Sequence, residues 1–222
     1  MLIQKRFIRF TAICCFLSVI TTLGIHLYFP DPPSEFEKRL LLFRDSTYIL
    51  NRWWVIAHCL LVIVAMWGFA LIQWKKSPGL TGLGYLGFVV FGIAEITRQM
   101  FVLFYMNEMR EQYFLSADPT VRNSLRIGLE TAGLLSSPLF GLFFLMFGLG
   151  NLCYGLSLLG EKGFSKVISV FLLTWGVTTL IAFGNIFWEF PVIARVIEVY
   201  NYSFQPLVRA LIAIWLWRKS AR

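Results

Sequence analysis

The chain has 222 residues, 58% of them hydrophobic and only 14% charged, with a mean hydropathy of +0.70 and a formal net charge of +8. Ordinary soluble domains are roughly 45–50% apolar and about 25% charged, and a globule of this size lacks the interior to hide so much apolar surface. A soluble enzyme, a disordered tail and a disulfide scaffold are therefore excluded, which leaves an integral membrane protein.

A spanning helix needs about 20 mainly apolar residues. Six stretches fit, at about 7–28, 53–74, 83–105, 131–159, 167–188 and 200–217. They are long apolar runs without ten-residue alternation, so helices rather than β-barrel strands are expected. The fold class is all-α: one polytopic bundle of six transmembrane helices over residues 1–222. The first stretch follows Lys5 and Arg6, yet its apolar part exceeds a signal-peptide core and Thr22-Leu23-Gly24 is a poor cleavage site. It reads as a retained anchor.

After it, Asp31-Pro32-Pro33 stops the helix. Ser34 and Glu37 are spaced as a capping box ahead of Leu40–Phe43, which predicts a short external amphipathic helix. Further on, Asp118-Pro119 reads as an N-cap followed by proline at the first helical position. That helix would run through Arg122 and Arg126 into the fourth span. Pro138 would bend it, and Ser136 or Ser137 would meet the freed backbone group.

Basic residues set the orientation. With the N-terminus in the cytoplasm, one side carries ten Lys/Arg, from Lys5 to Arg222, and a single acid, Glu161. The other carries eight Lys/Arg, including Arg52 and Arg110, and ten acids. Both termini are therefore expected in the cytoplasm. Tyr28, Trp53, Trp54, Tyr105, Trp188, Tyr200 and Tyr202 mark the external interface. Trp74, Tyr85, Trp215 and Trp217 mark the internal one.

Several motifs carry no chemistry. Gly82-Leu83-Gly84-Tyr85-Leu86-Gly87 matches GxGxxG, but a turn precedes it and a membrane helix follows, so it lacks the βαβ context of a dinucleotide site. Glycines there, and the seven-residue spacing of Gly141, Gly148 and Gly155, suit close helix packing. Cys14, Cys15, Cys59 and Cys153 all fall inside spans without CxxC spacing, and read as small buried residues. HExxH, GxSxG and Walker-type loops are absent from the sequence.

The informative residues are polar groups within the spans, which are costly in hydrocarbon and normally face the bundle interior. They are His58, Glu95, Arg98, Gln99, Asn185, Glu189 and Arg209. Glu95 and Arg98 share a helix face. By depth the seven could form one cluster in the external half. In one reading Glu95 pairs with Arg98, Arg209 pairs with Glu189 or Glu95, and the contacts fix helix register. In another the cluster lines an externally open cavity for a small polar or anionic ligand, since two arginines and a histidine suit carboxylate or phosphate. A haem between His26 and His58 is geometrically conceivable, but a ligand pair alone is a weak basis.

Three stretches carry a resemblance: Trp53-Trp54-Val55-Ile56-Ala57-His58, Ser116-Ala117-Asp118-Pro119-Thr120-Val121-Arg122, and Phe144 to Gly155. They resemble small six-helix bacterial membrane proteins grouped under a domain of unknown function. The resemblance implies the bacterial cytoplasmic membrane and no particular activity. The combined expectation is a multi-pass inner-membrane protein, not an enzyme, with a structural or sensory role. The alternative is a small-solute transporter or ligand-binding membrane module. No metal, cofactor or nucleic acid is called for. The partners expected are the lipid bilayer and a second copy or another membrane protein.

Overall fold

The computed structural model describes residues 2–221. Arg222, counted above among the cytoplasmic cations, lies outside the described residues, as do the side chains of Glu198 and Tyr202. The elements are α1 (Leu2–Leu27), α2 (Phe36–Leu40) running into a 3-10 turn (Leu41–Arg44), α3 (Ser46–Gln73), α4 (Pro78–Met100), a π-helical segment (Phe101–Met106), α5 (Asn107–Leu115), α6 (Pro119–Ser157), α7 (Phe164–Trp188) and α8 (Pro191–Ser220). The architecture is all-α, with no strand among the described residues.

Five helical stretches are long and apolar enough to cross a membrane: Lys5–Leu27, Ser46–Gln73, Pro78–Leu115, Pro119–Ser157 and Phe164–Trp188. This fits a multi-pass membrane protein. Helix α8 is long but less apolar, because Tyr200-Asn201-Tyr202-Ser203-Phe204-Gln205-Pro206 interrupts its hydrophobic run. The expected stretch at 200–217 is only its second half.

The long helices form a closed ring in the order α1, α3, α4, α6, α7, α8 and back to α1. Helix α1 packs against both α3 and α8, so it is an integral wall of the bundle. The ring is filled by Phe69, Phe88, Phe147, Tyr154, Trp175 and Trp215. Phe69 stacks on Tyr154 at 4.2 Å, and the Tyr154 hydroxyl donates to the Met66 carbonyl at 2.9 Å. Trp215 is not an interfacial residue as its position predicted. It is buried and donates to Ser165 Oγ at 2.9 Å.

Glycines set the tightest seams. A Cβ on Gly87 would meet the Met146 carbonyl at 2.8 Å and the Gly150 backbone at 3.1 Å, so α4 and α6 touch backbone to backbone there. Gly148 and Gly155 face Leu180 and Leu173 of α7, and Gly141 faces Phe183. The GxGxxG match thus packs helices, as does the seven-residue stripe.

One expected local feature differs. The Ser34–Glu37 capping box does not form: α2 begins after Glu35, with no side-chain cap. The helix is only five residues long, because the prolines delay it and Leu41–Arg44 tightens into the 3-10 turn. By contrast, Asp118 Oδ1 does accept from the Thr120 amide at 2.8 Å, and α6 runs unbroken for 39 residues through Pro138. Ser136 there donates to the Gly133 carbonyl at 2.7 Å.

At 1.5 Å per residue, the 38-residue α4–α5 stretch and the 39-residue α6 are each about 57 Å long. The hydrocarbon layer is about 30 Å, so this hairpin overhangs the bundle at its Ser116–Asp118 turn. Aromatic and arginine contacts tie α2 and the 3-10 turn onto the overhang. Phe36 meets Tyr113 at 5.9 Å, and Arg44 lies over Phe114 at 4.1 Å and Arg126 over Phe36 at 4.8 Å.

Candidate functional site: two buried polar centres

The seven polar residues singled out from sequence do not form one cluster. Glu95, Arg98 and Gln99 do come together, on the last turns of α4 just before the π segment. The Glu95 carboxylate accepts from Arg98 Nε at 2.9 Å, from Arg98 Nη2 at 2.6 Å and from Gln99 Nε2 at 2.6 Å. The Arg98 fork is bidentate, the strongest geometry for such a pair. Glu95 is 4% exposed, and the Arg98 side chain is 23% exposed and lies over Phe140 of α6 at 5.2 Å.

The ladder continues into α3. Gln99 Oε1 accepts from Arg52 Nη1 at 3.1 Å. Arg52 lies over the Tyr48 ring at 4.2 Å, and Arg110 of α5 approaches the same ring at 5.5 Å while donating to Asn107 Oδ1 at 2.8 Å. Arg52 and Arg110 were expected in solvated external loops. They are 8% and 5% exposed instead. The reason is visible two turns earlier: Asp45 Oδ1 accepts from the Thr47 and Tyr48 amides and starts α3 at Ser46, carrying Arg52 two turns into the helix. An Asp-Ser-Thr sequence is an N-cap signal, so the register of Arg52 could have been found from it.

Arg209 forms the second centre. It is 1% exposed, and among the described residues it pairs with no carboxylate, contrary to the expected partnership with Glu189 or Glu95. Trp175 and Phe147 flank its guanidinium at 5.3 and 5.8 Å. The Cys15 thiol donates to its carbonyl at 3.3 Å. His58 lies within electrostatic range of Arg209, as do the Cys15 and Cys59 thiols. His58 Nδ1 hydrogen-bonds Thr21 Oγ1 of α1 at 2.7 Å, which pins α3 to α1. The four cysteines are free thiols.

Asn185 and Glu189 belong to neither centre. Asn185 Oδ1 accepts from the Phe190 amide at 2.9 Å, and Glu189 takes the left-handed conformation, with φ 51°, that ends α7. They cap a two-residue turn between α7 and α8. Two small cavities lie on the α2 side of the bundle. One, of about 40 Å³, touches Arg110, Phe36 and Glu130. The other, of about 110 Å³, touches Tyr48, Asn51 and Asp31. Neither is lined by Glu95, Arg98 or Arg209.

At the opposite end of the bundle, the Lys76 ammonium of the α3–α4 turn donates to Glu161 of the α6–α7 turn. That bond holds the Glu161 carboxyl below the ordinary carboxylate range.

Comparison of the chain with protein-family profiles, with curated proteins and with solved structures gives no match.

Proposed function

We propose that this chain is a six-span protein of a bacterial inner membrane, with both termini in the cytoplasm, and that it works as a structural or sensory component rather than as an enzyme. Helix α8 supplies the sixth crossing, since it completes the ring between α1 and α7. The basic residues of the 74–77 and 158–163 turns favour the cytoplasm for that end. The overhanging α5–α6 hairpin then projects on the external side. The resemblance to bacterial six-helix proteins points the same way.

The observation that carries the role is the saturation of Glu95. Its two oxygens take three donors, and the ladder through Gln99 to Arg52 ties α3 to α4 at the root of the projecting hairpin. A π segment follows directly, a geometry frequent at functional sites. Such a lock holds an external helical element in a fixed attitude over the membrane. It suits display toward a second copy or another membrane protein.

A second reading, a membrane module that binds a small anion, is favoured by the charge inventory of the same centre. Arg52, Arg98 and Arg110 stand against one carboxylate, and the buried Arg52 Nε has no partner. Substituted-cysteine labelling in whole cells separates the two. A hydrophilic, membrane-impermeant maleimide should label cysteines at Asp118 and Glu189 from outside, and at Lys76 and Lys162 only after permeabilisation. Ala94→Cys, beside Glu95, should stay unlabelled if the ladder is a sealed lock. Labelling at that position from outside would favour the ligand-binding module, and the reverse pattern at Lys76 and Asp118 would overturn the orientation.

A further inference from the structure

The Arg209 centre asks for a charge that the chain does not supply. The guanidinium sits 11 residues before the end of α8, about 17 Å from that end, near the middle of a 30 Å hydrocarbon layer. Intramembrane arginines ordinarily pair or face water. Here Nε and Nη1 are buried without a hydrogen-bond partner. The surroundings are Trp175, Phe147, Cys15, Cys59 and His58, with no carboxylate among the described residues.

Aromatic rings flank the ion and help to disperse its charge, but they leave the in-plane N–H donors unused. Thiols add at most weak donors. A buried cation with free donors, neutral walls and no carboxylate is an anion site by composition. Neither of the two small cavities reaches it, so the space at the guanidinium favours a small ion over a carboxylic acid or a phosphate ester. Burying any ion is costly unless it is paired, but the free guanidinium donors offset that cost, and a weakly hydrated halide gives up less hydration than a strongly hydrated anion.

We propose that Arg209 holds a halide ion in the centre of the helix ring, beside Trp175, and that this ion compensates the buried guanidinium. The site is separate from the Glu95 ladder and stands whichever reading of that ladder holds.

The test uses the full chain purified in detergent, with sodium chloride, bromide or iodide compared against sodium gluconate at equal ionic strength. Halides should raise the thermal midpoint by several degrees, saturably, and iodide should quench a fraction of the tryptophan emission with the same half-saturation. Trp175→Phe, which removes the indole beside the ion, should lose the saturable quenching. Arg209→Met should lose both the thermal effect and the quenching. Arg209→Lys, which keeps a cation and so guards against a variant that fails to fold, should weaken half-saturation about tenfold, because lysine presents its donors differently. Equal midpoints in chloride and gluconate would mean that water alone solvates the guanidinium, and would overturn the proposal. So would an unchanged halide response in Arg209→Lys, or saturable quenching that survives Trp175→Phe.

Discussion

Glu95 has two donors on Arg98 and one on Gln99, and the consequences can be weighed residue by residue. Removing one partner of a buried ion pair leaves an uncompensated charge and costs about 3–5 kcal/mol, whereas replacing both by apolar groups of similar volume is often neutral. Arg98 is only partly buried, which places the cost of Glu95→Gln near the lower limit, about 3 kcal/mol. Arg98→Leu should cost a similar amount by leaving the carboxylate short of donors. The double variant Glu95→Leu/Arg98→Leu should be less damaged than the two single losses combined, with a coupling of about 1–2 kcal/mol. Reversible unfolding in mixed micelles measures all three, and strictly additive losses would show that the two side chains stand independently. The pairing of Glu95 with Arg98 was legible from their i,i+3 spacing. The extension to Arg52 was not, because an arginine just ahead of Trp53-Trp54 reads as a loop cation unless the Asp45 cap is given weight. The isolation of Arg209 was not legible either: a carboxylate within reach by depth is no guide to which face of the ring it occupies.

Among the elements, the α4–α6 seam is the most exacting. At Gly87 an added methyl meets backbone atoms, the Met146 carbonyl and Gly150, and backbone cannot rotate away as a side chain can. Gly87→Ala therefore has to push the helices apart, at about 1–3 kcal/mol. Gly133 lies in the interior of α6 with nothing within 4 Å of a would-be Cβ. There Gly133→Ala meets no obstacle and gains helix propensity, up to about 1 kcal/mol. Opposite signs for the same chemical change, read from thermal midpoints in detergent, would locate the seam; destabilisation by both would mean that the outer half of α6 packs more closely than the structure shows. The glycines of the 82–87 stretch made the seam visible in the sequence, since small residues at the entry to a span let helices approach closely, whereas the seven-residue stripe of Gly141, Gly148 and Gly155 faces α7. The length of the overhang was only half visible. Asp118-Pro119 fixed where α6 begins, but nothing in the polar Asn107–Leu115 segment distinguishes a continuing helix from a loop until it is packed against α6 and the 3-10 turn.

For the molecule as a whole, composition and apolar run length account for the ring of long helices, because hydrocarbon demands that each spanning backbone satisfy itself. They place an apolar stretch at 200–217 but not the start of α8 at Pro191, because the polar run from Tyr200 to Pro206 separates that stretch from the apolar residues before it. What closes the ring outside the lipid can be tested by pH. Lys76 and Glu161 join the α3–α4 turn to the α6–α7 turn. The Glu161 carboxyl titrates below its ordinary value because Lys76 hydrogen-bonds the ionised form. A depressed carboxylate adds stability that is complete above its unfolded value, near 4.3, and is lost as pH falls from there through the lower folded value. Lys76 is 57% exposed and the Glu161 side chain 22%, so solvent screens the pair and its worth is at most about 1 kcal/mol. The wild-type protein should lose that increment as pH falls from about 5 through the lowered folded value, and Glu161→Gln should start without it and show a flatter acid profile. Added salt should shrink the difference, since an exposed pair is screened within about 10 Å at 0.1 M. If the two acid profiles run parallel at low salt, the ion pair adds nothing and helix packing alone joins the two turns.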